Sequence, residues 1–84
     1  MIVVNNKKEL KSLIIQRIRE QGLNCNLNDI DVSRVTDMSE LFMSSKFNGD
    51  ISEWNVSNVK NTFGIFDDSP IEGNELGWWR ARLK

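Results

Sequence analysis

Residues able to do chemistry are few in this chain, and their spacing limits what they can do. Asn24, Asn26, Asn28, Asp29 and Asp31 bring five oxygen-bearing side chains close together, at the density of a calcium loop. An EF-hand loop needs Gly at its sixth position and Glu at its twelfth. Counted from Asn24, those places hold Asp29 and Val35, so the pattern fails. The set reads instead as turn chemistry, with Asn and Asp side chains accepting nearby backbone N–H groups. Cys25 has no histidine to activate it, because the chain contains none. One Cys without His makes no zinc site, and Cys25 reads as a small, partly buried residue rather than a reactive thiol. Ser33, Ser39, Ser45, Ser52, Ser57 and Ser69 have no base-bearing partner in sequence, and no glycine-rich phosphate loop is present. The expectation is a protein with no metal, no cofactor and no catalytic residues.

Charge is the next signal. The formal net charge is −1, which gives no global attraction to nucleic acid. The middle of the chain, residues 29–72, is nevertheless acidic, and both ends are basic. One reading is a solvated surface whose ends attract each other. The other is an acidic face that engages a basic partner. The candidate contact residues are Asp37, Glu40, Asp50, Glu53, Asp67 and Asp68, with Phe63 or Trp79 as an apolar anchor. Trp79 either covers the end of the fold or binds the partner.

Such residues need elements to position them, and an internal repeat supplies the frame. Residues 31–54 laid over 55–78 match at Val32/Val56, Ser33/Ser57, Val35/Val59, Phe42/Phe66, Ser45/Ser69, Gly49/Gly73 and Trp54/Trp78. Leu41/Ile65, Phe47/Ile71, Asp37/Asn61 and Asp50/Asn74 keep their chemistry. The frame extends backwards, with Ile18 over Phe42, Leu23 over Phe47, Cys25 over Gly49, Asn26 over Asp50, Leu27 over Ile51 and Ile30 over Trp54. A period of 24 lies in the range of strand-plus-helix repeats. Stacked units place equivalent residues above one another, so apolar positions must recur at the period to make a continuous core.

The expected architecture is therefore α/β, a short leucine-rich-repeat-like solenoid of 24-residue units. A helical cap unit (1–30) precedes two repeats (31–54 and 55–78) and a C-terminal tail (79–84). Asn6 followed by Glu9 predicts a capping box, Leu10, Leu13, Ile14 and Ile18 predict a helix over roughly 7–21, and Gly22 suits its C′ position. Met1 to Val4 predicts a short strand or an ordered leader. Two-turn helical segments are expected to start at Thr36 and Asn61. Very short parallel strands are expected at Leu27, Ile51 and Leu76, and a final helix over Glu75 to Leu83. The chain is short enough that its core has little margin.

The strings VTDMSELF, KFNGDISEW and NVSNVKN resemble the BspA-like bacterial surface-protein repeat, which is similar to leucine-rich repeats and common in mycoplasma lipoproteins. The opening NKKELKSLIIQRIREQGLNCNLNDIDVS is similar to the N-terminal cap of that family. The resemblance covers about residues 5–78 and implies a leucine-rich-repeat-like fold. The chain shows no export signal and no apolar run near the roughly 20 residues needed to span a bilayer. It is expected to be cytoplasmic, or surface-exposed if it is part of an exported protein. The leading expectation is a non-catalytic protein–protein interaction module whose partner has a basic surface, with no direct nucleic-acid or membrane contact. The alternative is a small inhibitor of phage or mobile-element type that blocks a basic, nucleic-acid-binding site on a host protein with its acidic face. Oligomeric state is left open.

Overall fold

The spacing of Leu10, Leu13, Ile14 and Ile18 produces one helix, α1 (Lys7–Gln21), in a computed structural model that describes residues 1–70. Expectations for Ile71, Gly73, Asn74, Leu76, Trp78, Trp79, the helix over 75–83 and the tail lie outside the described residues. Asn6 is extended and its side chain accepts the Glu9 N–H at 2.9 Å. The reciprocal half of the capping box slips by one residue, because Glu9 Oε1 accepts the N–H of Asn5 rather than of Asn6. Gly22 has φ of 91° and returns its N–H to the Ile18 carbonyl at 2.8 Å. A side chain is disfavoured at that φ, which is why glycine ends the helix here.

Met1 to Val4 supplies strand β1 (Ile2–Val3), which runs parallel to β2 (Ile30–Asp31) with Ile2 opposite Ile30 and Val3 opposite Asp31. Among the described residues the fold is thus α/β, with one helix and two short parallel strands. Beyond the strands, hydrogen bonds join residues about one repeat apart. The N–H groups of Met38, Glu40, Phe42 and Ser44 donate to the carbonyls of Asn61, Phe63, Ile65 and Asp67, each at 2.9 Å. Asn48 donates to Leu23, Asp50 to Cys25, and Leu27 to Asp50. Parallel bridges form at Asn26/Asp50 and Asp37/Asn61. The expected pairing around Leu27 and Ile51 is present as such a bridge rather than as a longer strand.

The two-turn helices expected after Thr36 and Asn61 do not form. Residues 38–45 instead make overlapping tight turns, Leu41 N–H to Met38 O, Met43 to Glu40 and Ser45 to Phe42. The intervening N–H groups leave the segment for the 61–67 carbonyls, so they cannot build a helix. Glu40 and Ser44 adopt positive φ (60° and 56°), as do their repeat counterparts Gly64 and Asp68 (67° and 54°). A right-handed helix cannot pass through such residues.

Core packing follows the period. Leu27/Ile51, Ile30/Trp54, Val32/Val56, Val35/Val59, Leu41/Ile65 and Phe42/Phe66 are all buried. Phe42 stacks on Phe66, Phe47 and Trp54, with centroids 5.8, 5.2 and 6.1 Å away. Trp54 donates its indole N–H to the Leu27 carbonyl at 2.9 Å, so its one polar atom is satisfied. One column differs from expectation. Leu23 is exposed while Phe47 is fully buried. Leu23 follows directly on the helix-ending Gly22 and contributes its carbonyl to Asn48 rather than its side chain to the core.

Candidate functional site

The Asn and Asp residues of the sequence do turn work, in columns. Asn26 and Asp50 accept the N–H of Asn28 and Ser52; Asp31 and Asn55 those of Ser33 and Ser57; Asp37 and Asn61 those of Ser39 and Phe63. Each bond spans two residues at 2.8–3.1 Å, the geometry of an Asx turn. Accepting such bonds favours the charged carboxylate. The backbone N–H of Ser52 holds Asp50 below the usual carboxylate range, that of Ser39 does the same for Asp37, and Ser33 for Asp31. Asp29 is lowered by its two-pronged pairing with Arg17, at 2.8 and 2.6 Å. Burial pushes the Cys25 thiol up, the opposite of an activated nucleophile.

The acidic residues expected to form one face fall on two ladders. Asp37 and Glu40 belong to the stretch paired with residues 61–67, which carries Phe63 and Asp67 and is followed by Asp68. Asp50 and Glu53 belong to the stretch paired with residues 23–28, where the Glu53 N–H donates to Asn28 Oδ1. Phe42, from the first stretch, stacks on Phe47 in the buried core. Asp37 is further committed, with Lys7 Nζ 3.5 Å from its carboxylate. Trp79 lies outside the described residues.

The first ladder gathers an exposed group. Gly64 has no side chain, and the place its Cβ would take lies 3.4 Å from Asp67 Oδ2 and 3.5 Å from Glu40 Cγ. Glu40 and Asp67, from successive units, therefore flank one spot. Phe63 sits beside it, its carbonyl accepting the Glu40 N–H, and it is 75% exposed. In the other Asx turns its position is held by Asn28, Ser33, Ser39, Ser52 and Ser57, all small and polar. The turn does not require an aromatic residue there, and core packing does not use it.

A basic cleft that the sequence reading missed adjoins this group. It has a volume of about 360 Å³ and is lined by Lys7, Lys8, Lys11 and Ser12 of α1 and by Ser39, Glu40 and Leu41. Lys7 Nζ reaches Ser39 O and Oγ at 3.2 and 2.9 Å, and Lys11 Nζ reaches Leu41 O at 3.1 Å. The counterparts of these carbonyls, Phe63 O and Ile65 O, accept backbone N–H groups from the preceding unit. Two ammonium groups thus stand where backbone donors stand one unit on. The sequence carried a signal, since Lys7 and Lys8 occupy the first turn of a helix, where the macrodipole disfavours cations.

Among the described residues no group of three or more His, Cys, Asp or Glu side chains is placed to hold a metal ion. No helix there is long and apolar enough to cross a membrane. Residues 8–82 match the model of the family described as Mycoplasma protein of unknown function, DUF285. No curated protein and no solved structure matches the chain.

Proposed function

The chain belongs to the DUF285 family of mycoplasma proteins, and on that premise we propose that it is a non-catalytic protein-interaction module built as a short leucine-rich-repeat-like solenoid. The repeats are of the BspA-like kind suggested by their motifs. Support for the stack comes from hydrogen bonds that link residues about one repeat apart on two ladders. Support for a contact surface comes from one observation above the others. Phe63, 75% exposed, occupies a turn position held elsewhere by Ser or Asn, with Glu40 and Asp67 flanking the adjacent glycine. An exposed aromatic ringed by charge is a common anchor in protein contacts.

In this reading Phe63 supplies the affinity, while Glu40, Asp67, Asp68 and Glu53 steer a partner with a basic surface. Asp37 and Asp50 serve the turns and contribute charge only. Exposed charge alone gives little affinity, so the aromatic residue is the necessary part. The test is to identify a partner by crosslinking in the source cell and then measure its affinity for the native chain and for a Glu40→Lys, Glu53→Lys, Asp67→Lys triple variant. Affinity should fall at least about ten-fold and lose most of its salt dependence. Unchanged binding by a folded triple variant would remove the acidic face from the account.

A further inference from the structure

The basic cleft and the acidic, aromatic spot share Glu40 and form one surface of mixed sign. Lys8, Lys11 and Ser12 lie at one end, and Phe63, Gly64 and Asp67 at the other. Lys8 and Asp67 are both exposed, and neither makes a side-chain hydrogen bond or ion pair to the other described residues. A patch that carries cations at one end and anions at the other is complementary to itself under two-fold rotation. We propose that this surface binds a second copy of the chain, with Lys8 and Lys11 of each protomer facing Asp67 and Glu40 of the other and the two Phe63 rings meeting near the axis. The inference rests on the reading of Phe63 and its flanking carboxylates as a protein-contact site, and it names the basic surface they meet.

The arrangement accounts for two features that the fold does not use. Lys8 stands in the first turn of α1 against the helix dipole with no side-chain partner among the described residues, and opposing carboxylates offset that cost. Phe63 replaces the small polar residue of the other turns and would be withdrawn from water. The surface is formed by a few residues of α1 and of the first ladder, whereas a stable complex buries roughly 800 Å² per partner. The dimer is accordingly a weak one, built up at high concentration and dissolved by salt.

Sedimentation of the native chain at rising concentration tests this, up to roughly 1 mM at low salt. A concentration-dependent monomer–dimer equilibrium is expected. It should weaken at least about ten-fold in Phe63→Ser, which restores the residue used at Ser39, and in Lys8→Glu and Asp67→Lys taken singly. Mixing Lys8→Glu with Asp67→Lys should recover association between the two variants, because both pairs across the mixed dimer are then of opposite charge, one native and one reversed. A chain that stays monomeric throughout overturns the proposal, and so does a dimer indifferent to all three substitutions or a mixture no stronger than either variant alone. The chain's behaviour toward other partners is measured separately, so a monomeric result leaves the interaction-module reading intact.

Discussion

Gly49 and Trp54 illustrate how single residues hold neighbouring chain segments together. A Cβ on Gly49 would lie 1.9 Å from the Cys25 carbonyl oxygen and 2.6 Å from the Phe47 ring. The first of these neighbours is backbone and is itself hydrogen-bonded to Asp50, so it cannot step aside cheaply. Gly49→Ala should therefore cost about 1–3 kcal/mol through forced displacement, even though it adds a single methyl group. Trp54→Ala removes a buried ring and leaves the Leu27 carbonyl with the Ile30 N–H alone, so a loss of about 3–5 kcal/mol is expected, chiefly from the cavity. Thermal melts followed by circular dichroism read both, at roughly 4–8 °C per kcal/mol for a domain of this size. An unchanged midpoint for Gly49→Ala would mean that the two chain segments do not approach as described. Both residues were legible in the sequence, because each sits in a column at the repeat period. Leu23 was in such a column too and is exposed; periodicity reports which backbone positions correspond, but a helix end can turn the side chain outward.

At the scale of elements, the Asx columns tie stability to pH. Asp31, Asp37 and Asp50 each accept turn N–H groups, and Asp29 pairs with Arg17; all four are held below the usual carboxylate value. A carboxyl group whose folded pKa is depressed contributes stability that is fully present above its unfolded value. That contribution is lost as pH falls through the folded value. Melting temperature should thus be flat near neutrality and decline below about pH 4. Asn accepts the same bond without titrating, and Asn26, Asn55 and Asn61 already do so in matching positions. A combined Asp37→Asn, Asp50→Asn variant should melt close to the native chain at pH 7 and lose part of the acid limb. Retention of the full acid limb would place the titrating groups elsewhere.

Helix α1 was the most legible element, since an Asn cap, an apolar spacing and a terminal glycine all agree over Lys7–Gln21. The turn segment was the least legible. Thr36-Asp37-Met38-Ser39-Glu40 reads as a helix start, with a capping residue, an acidic first turn and good helix formers. What defeats that reading is non-local. The N–H groups of residues 38, 40, 42 and 44 find carbonyls one unit away, and Glu40 and Ser44 take left-handed φ to allow it. Gly64 at the Glu40 position was the one local sign of such a backbone. The α1 lysines were missed for a related reason, because their acceptors are main-chain carbonyls about 30 residues away.

For the molecule as a whole, the repeat explains the core, the turn columns and the paired left-handed positions together, and the proposed contact surface depends on the same stacking. Glu40 approaches Gly64 and Asp67 because residues 38–44 and 61–67 lie side by side in register. The acidic middle of the sequence was visible, but its division between two ladders was not, since that follows from which distant carbonyls each segment's N–H groups meet. The register itself can be observed by scalar couplings transmitted through hydrogen bonds in an isotope-labelled sample. Couplings are expected from the amide nitrogens of Glu40, Phe42 and Ser44 to the carbonyl carbons of Phe63, Ile65 and Asp67, and from Leu27 to Asp50. Couplings from residues 40–44 back to carbonyls four residues earlier would show a local helix and contradict the stacked register.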